Sequence, residues 1–580
     1  MELPATHPCP AGLPTRDRAR WRIRHGDHGL VFPGCPLSRR RCKSTSLLAK
    51  QSAPPCESSL MQSRTDSLNR KVLFGALFTV YLLLVLYPIL RADRYNNDDL
   101  MRALWGPYIW IDNGRPLSAL VMRALEFNAA QLVDISPLPQ LLAIALLAWT
   151  GVLIAQRYAI RSLSLGVMIA LPLGAQPFFL ENISYRFDAL PMALAVLFAL
   201  LPITTTPLIR RHGWWLGALS LLACLCFYQP AINIFLIFVL LNIVHGQIQR
   251  ISPRELLIEL VSRGLQAMLA VAAYQLTVAP SIVGWVKMHS VMISSTQQLG
   301  IVRTNVVNLG AYLANAFDAS WMLIFAPLAV FALLVPIVVG VRYAMSGRRE
   351  RPLWLTALLL LCSGLLPLAA MACIAGPMIL ARDLIIVPRV FVGVGALLSA
   401  ALIIMHAALD TWRRSPRWSF AVAGLWTAGM VVFANVYGNA LASQKQYEDR
   451  IGARLADDLA ELKTTHGLHR LLLDGSNGLS PVAAHAAERF HLIRQLINPY
   501  LQGYSFNARN FISHYTTGVE DIRWLDDSNA VAAPLLMQAC KLPALLTRNN
   551  YTLRIVGDAA IVTFPADRPA SCAPPLEAVP

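Results

Sequence analysis

The chain has 580 residues, of which 56% are hydrophobic and only 14% charged, where a soluble domain carries about 25% charged residues. With a mean hydropathy of +0.49, this excludes an ordinary soluble enzyme and predicts a polytopic membrane protein. The net charge of +17 does not point to nucleic acid. The Lys and Arg residues stand in small clusters between apolar runs, which is how a membrane protein fixes its orientation.

Residues 1–70 are polar, rich in Arg, Pro and Ser and poor in aromatics. They bury no core and are expected to be a disordered basic leader. An Arg-rich targeting peptide is one alternative; a start taken too early, with Met61 as the true first residue, is the reading we prefer. The first apolar run, Val72–Leu90, is followed by ten more near 137–156, 161–179, 188–204, 213–228, 231–245, 264–280, 319–341, 353–374, 390–409 and 418–437. Each approaches the ~20 residues needed to cross the hydrocarbon core, which predicts about eleven transmembrane helices within residues 71–437. Alternate connections carry clusters such as Arg157 and Arg161, Arg210 and Arg211, Arg348 and Arg349, and Arg413 and Arg414. The positive-inside rule places these with the N-terminus in the cytoplasm. The remaining connections, and residues 438–580, fall on the outer side.

Residues 438–580 read as a soluble α/β domain. Gln444–Lys463 has helical spacing, and Leu471–Leu473 reads as a buried strand. Pro481–Leu496 follows a Ser480 N-cap, and Tyr551–Val556 with Ala560–Phe564 form a terminal hairpin across Gly557-Asp558. The ten cysteines make no metal-binding pattern. Cys540 and Cys572 are the two in this segment, and a disulfide between them is as consistent with the sequence as two free thiols.

Chemistry concentrates in the outer connections. Asp98 and Asp99 stand directly beyond the first apolar run, where two carboxylates are costly without a use. Behind them come Trp105, Trp110, Asp112 and Arg115, read as a short amphipathic surface helix, a turn at Asn113-Gly114 and a second helix over Pro116–Phe127. The blander reading makes Asp99 an N-cap. Glu181, Tyr185, Arg186 and Asp188 crowd the connection between two spans; interfacial anchoring and a helix cap are the commoner uses of such residues. Gln229 and Asn233 flank Pro230 in a break between spans and need partners inside the protein. Arg382-Asp383 and Arg389 add cations. Arg382 and Asp383 read most simply as a local surface pair, and one of these Args is a candidate phosphate ligand, because guanidinium matches phosphate oxygens bidentately.

In this order, Asp98-Asp99, Asp112-Asn-Gly-Arg-Pro116, Glu181-Asn-Ile-Ser-Tyr-Arg-Phe-Asp188, Tyr228-Gln-Pro-Ala-Ile-Asn233 and Tyr437-Gly-Asn439 resemble the GtrII-type membrane glucosyltransferases of O-antigen glucosylation, or serotype conversion. The resemblance runs from about Lys71 to the C-terminal hairpin. It implies a GT-C-like, mostly α-helical enzyme of the bacterial inner membrane, with its active site and C-terminal α/β domain in the periplasm. It implies a donor of glucose, or a related hexose, carried on undecaprenyl phosphate, and an O-antigen or lipopolysaccharide acceptor. A donor synthase and a flippase are implied as functional partners; nucleic acid is not. Asp98 or Asp99 then serves as base toward the acceptor hydroxyl. Trp105, Trp110, Asp112, Arg115, Glu181, Tyr185, Arg186, Asp188, Gln229 and Arg389 are candidates for substrate binding. The departing phosphate is met by Args or, alternatively, by a divalent metal ion on the carboxylates.

Three competing readings are a transporter or flippase of lipid-linked sugars, an assembly protein, and a GT-C transferase acting on protein or arabinan. Transporters place charges near the bilayer midplane, whereas these spans hold almost none.

Overall fold

The computed structural model describes residues 69–565, apart from short breaks at 205–206, 318, 348, 350, 504–505, 517–521 and 526–531. The leader, Met61 and Cys572 lie outside the described residues. Cys540 is disulfide-bonded.

Among the described residues, eight helices are long and apolar enough to cross a membrane: Asn69–Ala92, Leu138–Arg157, Gln229–Ile248, Pro253–Ser281, Pro327–Ser346, Leu353–Ala372, Gly393–Thr411 and Arg417–His466. The other three runs form shorter apolar helices, Leu163–Ala175, Ala189–Thr204 and Gly213–Phe227. The eleven expected spans therefore become eight of spanning length and three shorter ones. The reason is local. Pro172 and Pro177 lack the N–H a helix needs, so the run 161–179 breaks into Leu163–Ala170 and Pro172–Ala175, with Gln176 extended. Gly213 takes φ 24° and ψ −84°, a kink within Pro207–Phe227.

The connection between the runs 264–280 and 319–341 is not all loop, since Leu299–Ala316 is a helix. Its Arg, Thr and Asn residues hide it from a search for spans. Asn305 donates from its side chain to the carbonyls of Ile379 and Ala381, at 2.9 and 2.8 Å. Asp383 pairs with His289 at 3.1 Å, so the connections 281–298 and 376–383 lie side by side.

The last apolar run does not stop at 437. Arg417–His466 is one helix of 50 residues, ended by Gly467 in the left-handed conformation at φ 63°. Gly438 does not break it; its missing side chain lets the helix close on the backbone of Pro88. Beyond it lies a five-stranded sheet of order β2-β1-β5-β4-β3. The strands are β1 (Arg470–Asp474), β2 (Arg523–Leu525), β3 (Leu546–Thr547), β4 (Thr552–Val556) and β5 (Ala559–Thr563). The hairpin β4–β5 is antiparallel and β5 runs parallel to β1. Alternation along the strands gives two apolar faces. Leu471, Leu473, Leu553 and Val562 meet Leu455 and Leu459 of the long helix. Leu472, Ala559 and Ile561 meet Leu535 and Ala539. The expected helix 481–496 is two pieces, Pro481–Arg489 and Leu492–Leu496, and Ser480 accepts from Ala483 N at 3.2 Å as its cap.

Candidate active site

The first spanning helix ends at Asp93, whose left-handed φ of 50° turns the chain and delivers Asn96–Asp99 to the helix Asp99–Trp105. Neither acid caps that helix: no side-chain cap bond forms at Asp98. Asp99 is fully buried and accepts from the backbone N–H of Arg186 at 2.8 Å, while its Oδ1 has no partner. Burial, and after it the neighbouring Asp98, push the Asp99 carboxyl well above the usual carboxylate range. Asp98 keeps 29% of its side chain exposed and pairs with Arg102, one helical turn on, at 2.8 Å. Adjacent residues on a helix point in different directions. The two acids thus divide into one that solvent reaches and one that it does not.

Arg102 is buried and also pairs with Asp188, and its guanidinium lies 4.5 Å from the Trp110 ring centre. Trp110 Nε1 donates to Asp188 at 2.6 Å. Burial raises the Asp188 carboxyl, but Arg102 and Arg115 outweigh it and hold the group below its ordinary value. Arg115 approaches Asp188 only to 3.8 Å. It donates through Nε to Gln229 at 3.2 Å and lies 4.8 Å from the Tyr228 ring centre. Gln229 in turn donates to the Asn113 carbonyl at 3.0 Å and to Tyr274 Oη at 2.8 Å. Asn233 donates to the Ile374 carbonyl at 3.1 Å. Gly114, at φ 70°, is required here twice over. A β-carbon there meets both an unfavourable backbone region and the Tyr274 hydroxyl.

A second cluster adjoins the first through Asn97, whose amide donates to Tyr185 Oη at 2.7 Å and to Glu181 at 3.4 Å. Glu181 accepts from the Arg389 guanidinium and from the Arg389 backbone, both at 2.7 Å. Arg186 pairs with Asp93 at 2.5 Å and Asp134 at 2.9 Å, and lies 3.9 Å from the Tyr95 ring centre. For Asp134, burial raises the carboxyl, but bonds from Ser136 and the charge of Arg186 bring it below the ordinary value.

The fold therefore brings Asp98, Asp99, Trp110, Arg115, Glu181, Tyr185, Arg186, Asp188, Gln229 and Arg389 into one continuous network. Trp105 and Asp112 stand apart from it. Trp105 is half exposed and donates to Asn510 beyond the long helix at 3.1 Å. Asp112 is exposed and its carbonyl accepts from Val283 at 3.1 Å. The divalent-ion alternative finds no ready ligand set: among the described residues no three His, Cys, Asp or Glu side chains are grouped to hold a metal.

Sequence reasoning missed Asp93, Arg94 and Asp134. Asp93 and Arg94 line two cavities beside Arg186, of about 310 and 180 Å³. Asp134 lines the larger. Arg94 pairs with Glu448 at 3.0 Å, with 2% and 0% of the two side chains exposed. It also donates to the Asn498 carbonyl at 2.6 Å. The signal available in the sequence was Arg94 itself, a cation as close to the first span as the acids that drew attention.

The family model "Glucosyl transferase GtrII" matches residues 87–400, a stretch that contains every member of the network from Asp93 to Arg389. A protein of Salmonella phage P22, described as "Uncharacterized 55.3 kDa protein in gtrB 5'region", is 26% identical over 434 residues, covering 73% of this chain and 86% of the phage protein. No solved structure matches. With more than half of its length matched, the chain belongs to the GtrII glucosyl transferase family.

Proposed function

We propose that this glucosyltransferase moves glucose, or a related hexose, from undecaprenyl phosphate to O-antigen or lipopolysaccharide at the periplasmic face of the bacterial inner membrane. One observation carries the reading: Asp98, solvent-reachable and held by Arg102, shares a network with Asp188, Arg115 and Arg389 at the end of the helices where the first span emerges. In this mechanism the Asp98 carboxylate takes the proton of the acceptor hydroxyl as its oxygen bonds to the anomeric carbon. The bond from that carbon to the phosphate oxygen breaks, and polyprenyl phosphate departs. Arg115 is the best-placed cation to receive it. Its nearest carboxylate, Asp188, is already matched by Arg102, whereas Arg186 is matched by two acids. Asp99 is a positioning residue: it ties Arg186 N–H to the loop and is too buried to touch substrate.

A functional link to a donor synthase and a flippase belongs to the same proposal; it rests on the family resemblance, and the phage relative is described by its place in the gtrB 5' region. The test is mass analysis of lipopolysaccharide from a deletion strain complemented with wild type or with Asp98→Asn. The proposal expects a hexose lost on deletion and restored by the wild type alone. Unchanged lipopolysaccharide on deletion removes the acceptor assignment.

A further inference from the structure

At the other end of the helices lies a cavity of about 990 Å³. The helix Ile232–Ile248 begins beside Gln229 of the candidate active site and ends at this cavity, so the two are separated by about 25 Å at 1.5 Å per residue. Arg250, Arg342, Arg413 and Arg414 line it, and among the described residues no Asp or Glu does. None of the four makes an ion pair among the described residues, and Arg342 is seated 4.6 Å from the ring centre of Trp412. Arg250 and Arg413 end their helices in left-handed backbone, φ 58° and 52°, the turn with which helices commonly terminate. Gln247, also lining the cavity, is 5% exposed and has no partner for its Oε1.

A separate apolar groove of about 160 Å³ lies close to this cavity, lined by three of the same helices and by Leu353–Ala372. Val244 lines the groove and Gln247 the cavity; Pro336 and Val339 are related likewise, and so are Ile404 and Leu409. Pro336 and Pro367 lie within the helices that flank the groove, and each removes one backbone N–H from the helical ladder. A cationic chamber above a narrow apolar slot has the form of an amphiphile with an anionic head and a hydrocarbon chain.

We propose that this is a binding site for an anionic phospholipid of the bilayer, with its phosphate among the four Args and one acyl chain in the groove. Arg favours phosphate oxygens, and the unmatched Gln247 acceptor favours a head group that carries a hydroxyl, such as phosphoglycerol, over a bare polyprenyl phosphate.

The test uses the full chain purified in mild detergent, with thermal unfolding read after adding phosphatidylglycerol, undecaprenyl phosphate or inorganic phosphate. Phosphatidylglycerol raises Tm of the wild type; the other two raise it less. The triple variant R342Q/R413Q/R414Q binds phosphatidylglycerol about a hundredfold more weakly, at the usual worth of a surface cation near an anionic lipid. Because those Args also bear on orientation, a second variant leaves them in place: Ala370→Phe fills the groove and also weakens binding. Equal stabilisation of wild type and both variants, or a larger shift from undecaprenyl phosphate or inorganic phosphate, overturns the assignment.

Discussion

Asp98 and Asp99 are neighbours in sequence with opposite surroundings, and their substitutions separate. Asp98→Asn removes the proposed base, and transfer is expected to fall roughly 10²–10⁴-fold at normal membrane abundance, measured by the hexose content of lipopolysaccharide. Asp99→Asn keeps an oxygen for Arg186 N–H and removes a charge that burial disfavours, so most transfer is retained. Its signature is pH-dependent stability. The folded protein holds the Asp99 proton more tightly than the unfolded chain, in which Asp titrates near 3.9. Wild-type stability contributed by this group therefore declines as pH rises from about 4 towards its raised folded value. The variant lacks that decline. Thermal unfolding at pH 4.5 and 7.5 should show Asp99→Asn gaining on the wild type at the higher pH; a gain only at the lower pH contradicts the assignment. A third residue, Arg115, is expected to tolerate Lys poorly: Arg115→Lys loses the fork that meets both Gln229 and phosphate, and KM for the lipid-linked donor rises.

Among the elements, the helix Arg417–His466 and the turn after the first span depend on each other. The Arg94–Glu448 pair is fully buried, and Glu448 Oε1 also accepts from Tyr500 N–H at 2.8 Å. Removing one partner of such a pair leaves an uncompensated charge, at a cost of about 3–5 kcal/mol. Glu448→Ala should therefore lower the unfolding temperature and open residues 467–565 to limited proteolysis before the spanning helices; unchanged protection shows the contact to be dispensable. Elements of this kind mark where sequence reading succeeds and fails. Apolar runs and proline breaks are local signals, so most helices were legible. The boundary expected at 437 marks the end of the apolar run but not of the helix, in which Gly438 closes on Pro88. The candidate acids and Arg115 stand out in the sequence because charge next to a span is costly, and the fold brings them together. Glu448, some 350 positions from its partner, carries no such mark, and neither does the role of Asn97 in joining Tyr185 to Glu181.

For the whole molecule, the Arg-rich cavity and the acid-bearing loops lie at opposite ends of the same helices. This charge asymmetry supports an orientation with the Arg-rich end cytoplasmic and residues 467–565 periplasmic. A C-terminal alkaline phosphatase fusion is expected to be active and a C-terminal fluorescent fusion dark in the cytoplasm; the reverse pair of results inverts the orientation and takes the proposed acceptor with it.

The uninterrupted helix of 50 residues acts as a measuring rod. At 1.5 Å per residue it is about 75 Å long, and the bilayer core accounts for only ~30 Å of that. With no joint along it, the sheet at its far end is held at one height and one azimuth over Arg94. Inserting a single residue after Gly438 turns everything beyond it by about 100° and carries Glu448 off to another face. Inserting seven returns the face but lifts it by roughly 10 Å. Spacing along this rod is therefore quantised: a length change between Gly438 and Glu448 moves Glu448 off Arg94 in height, in azimuth or in both.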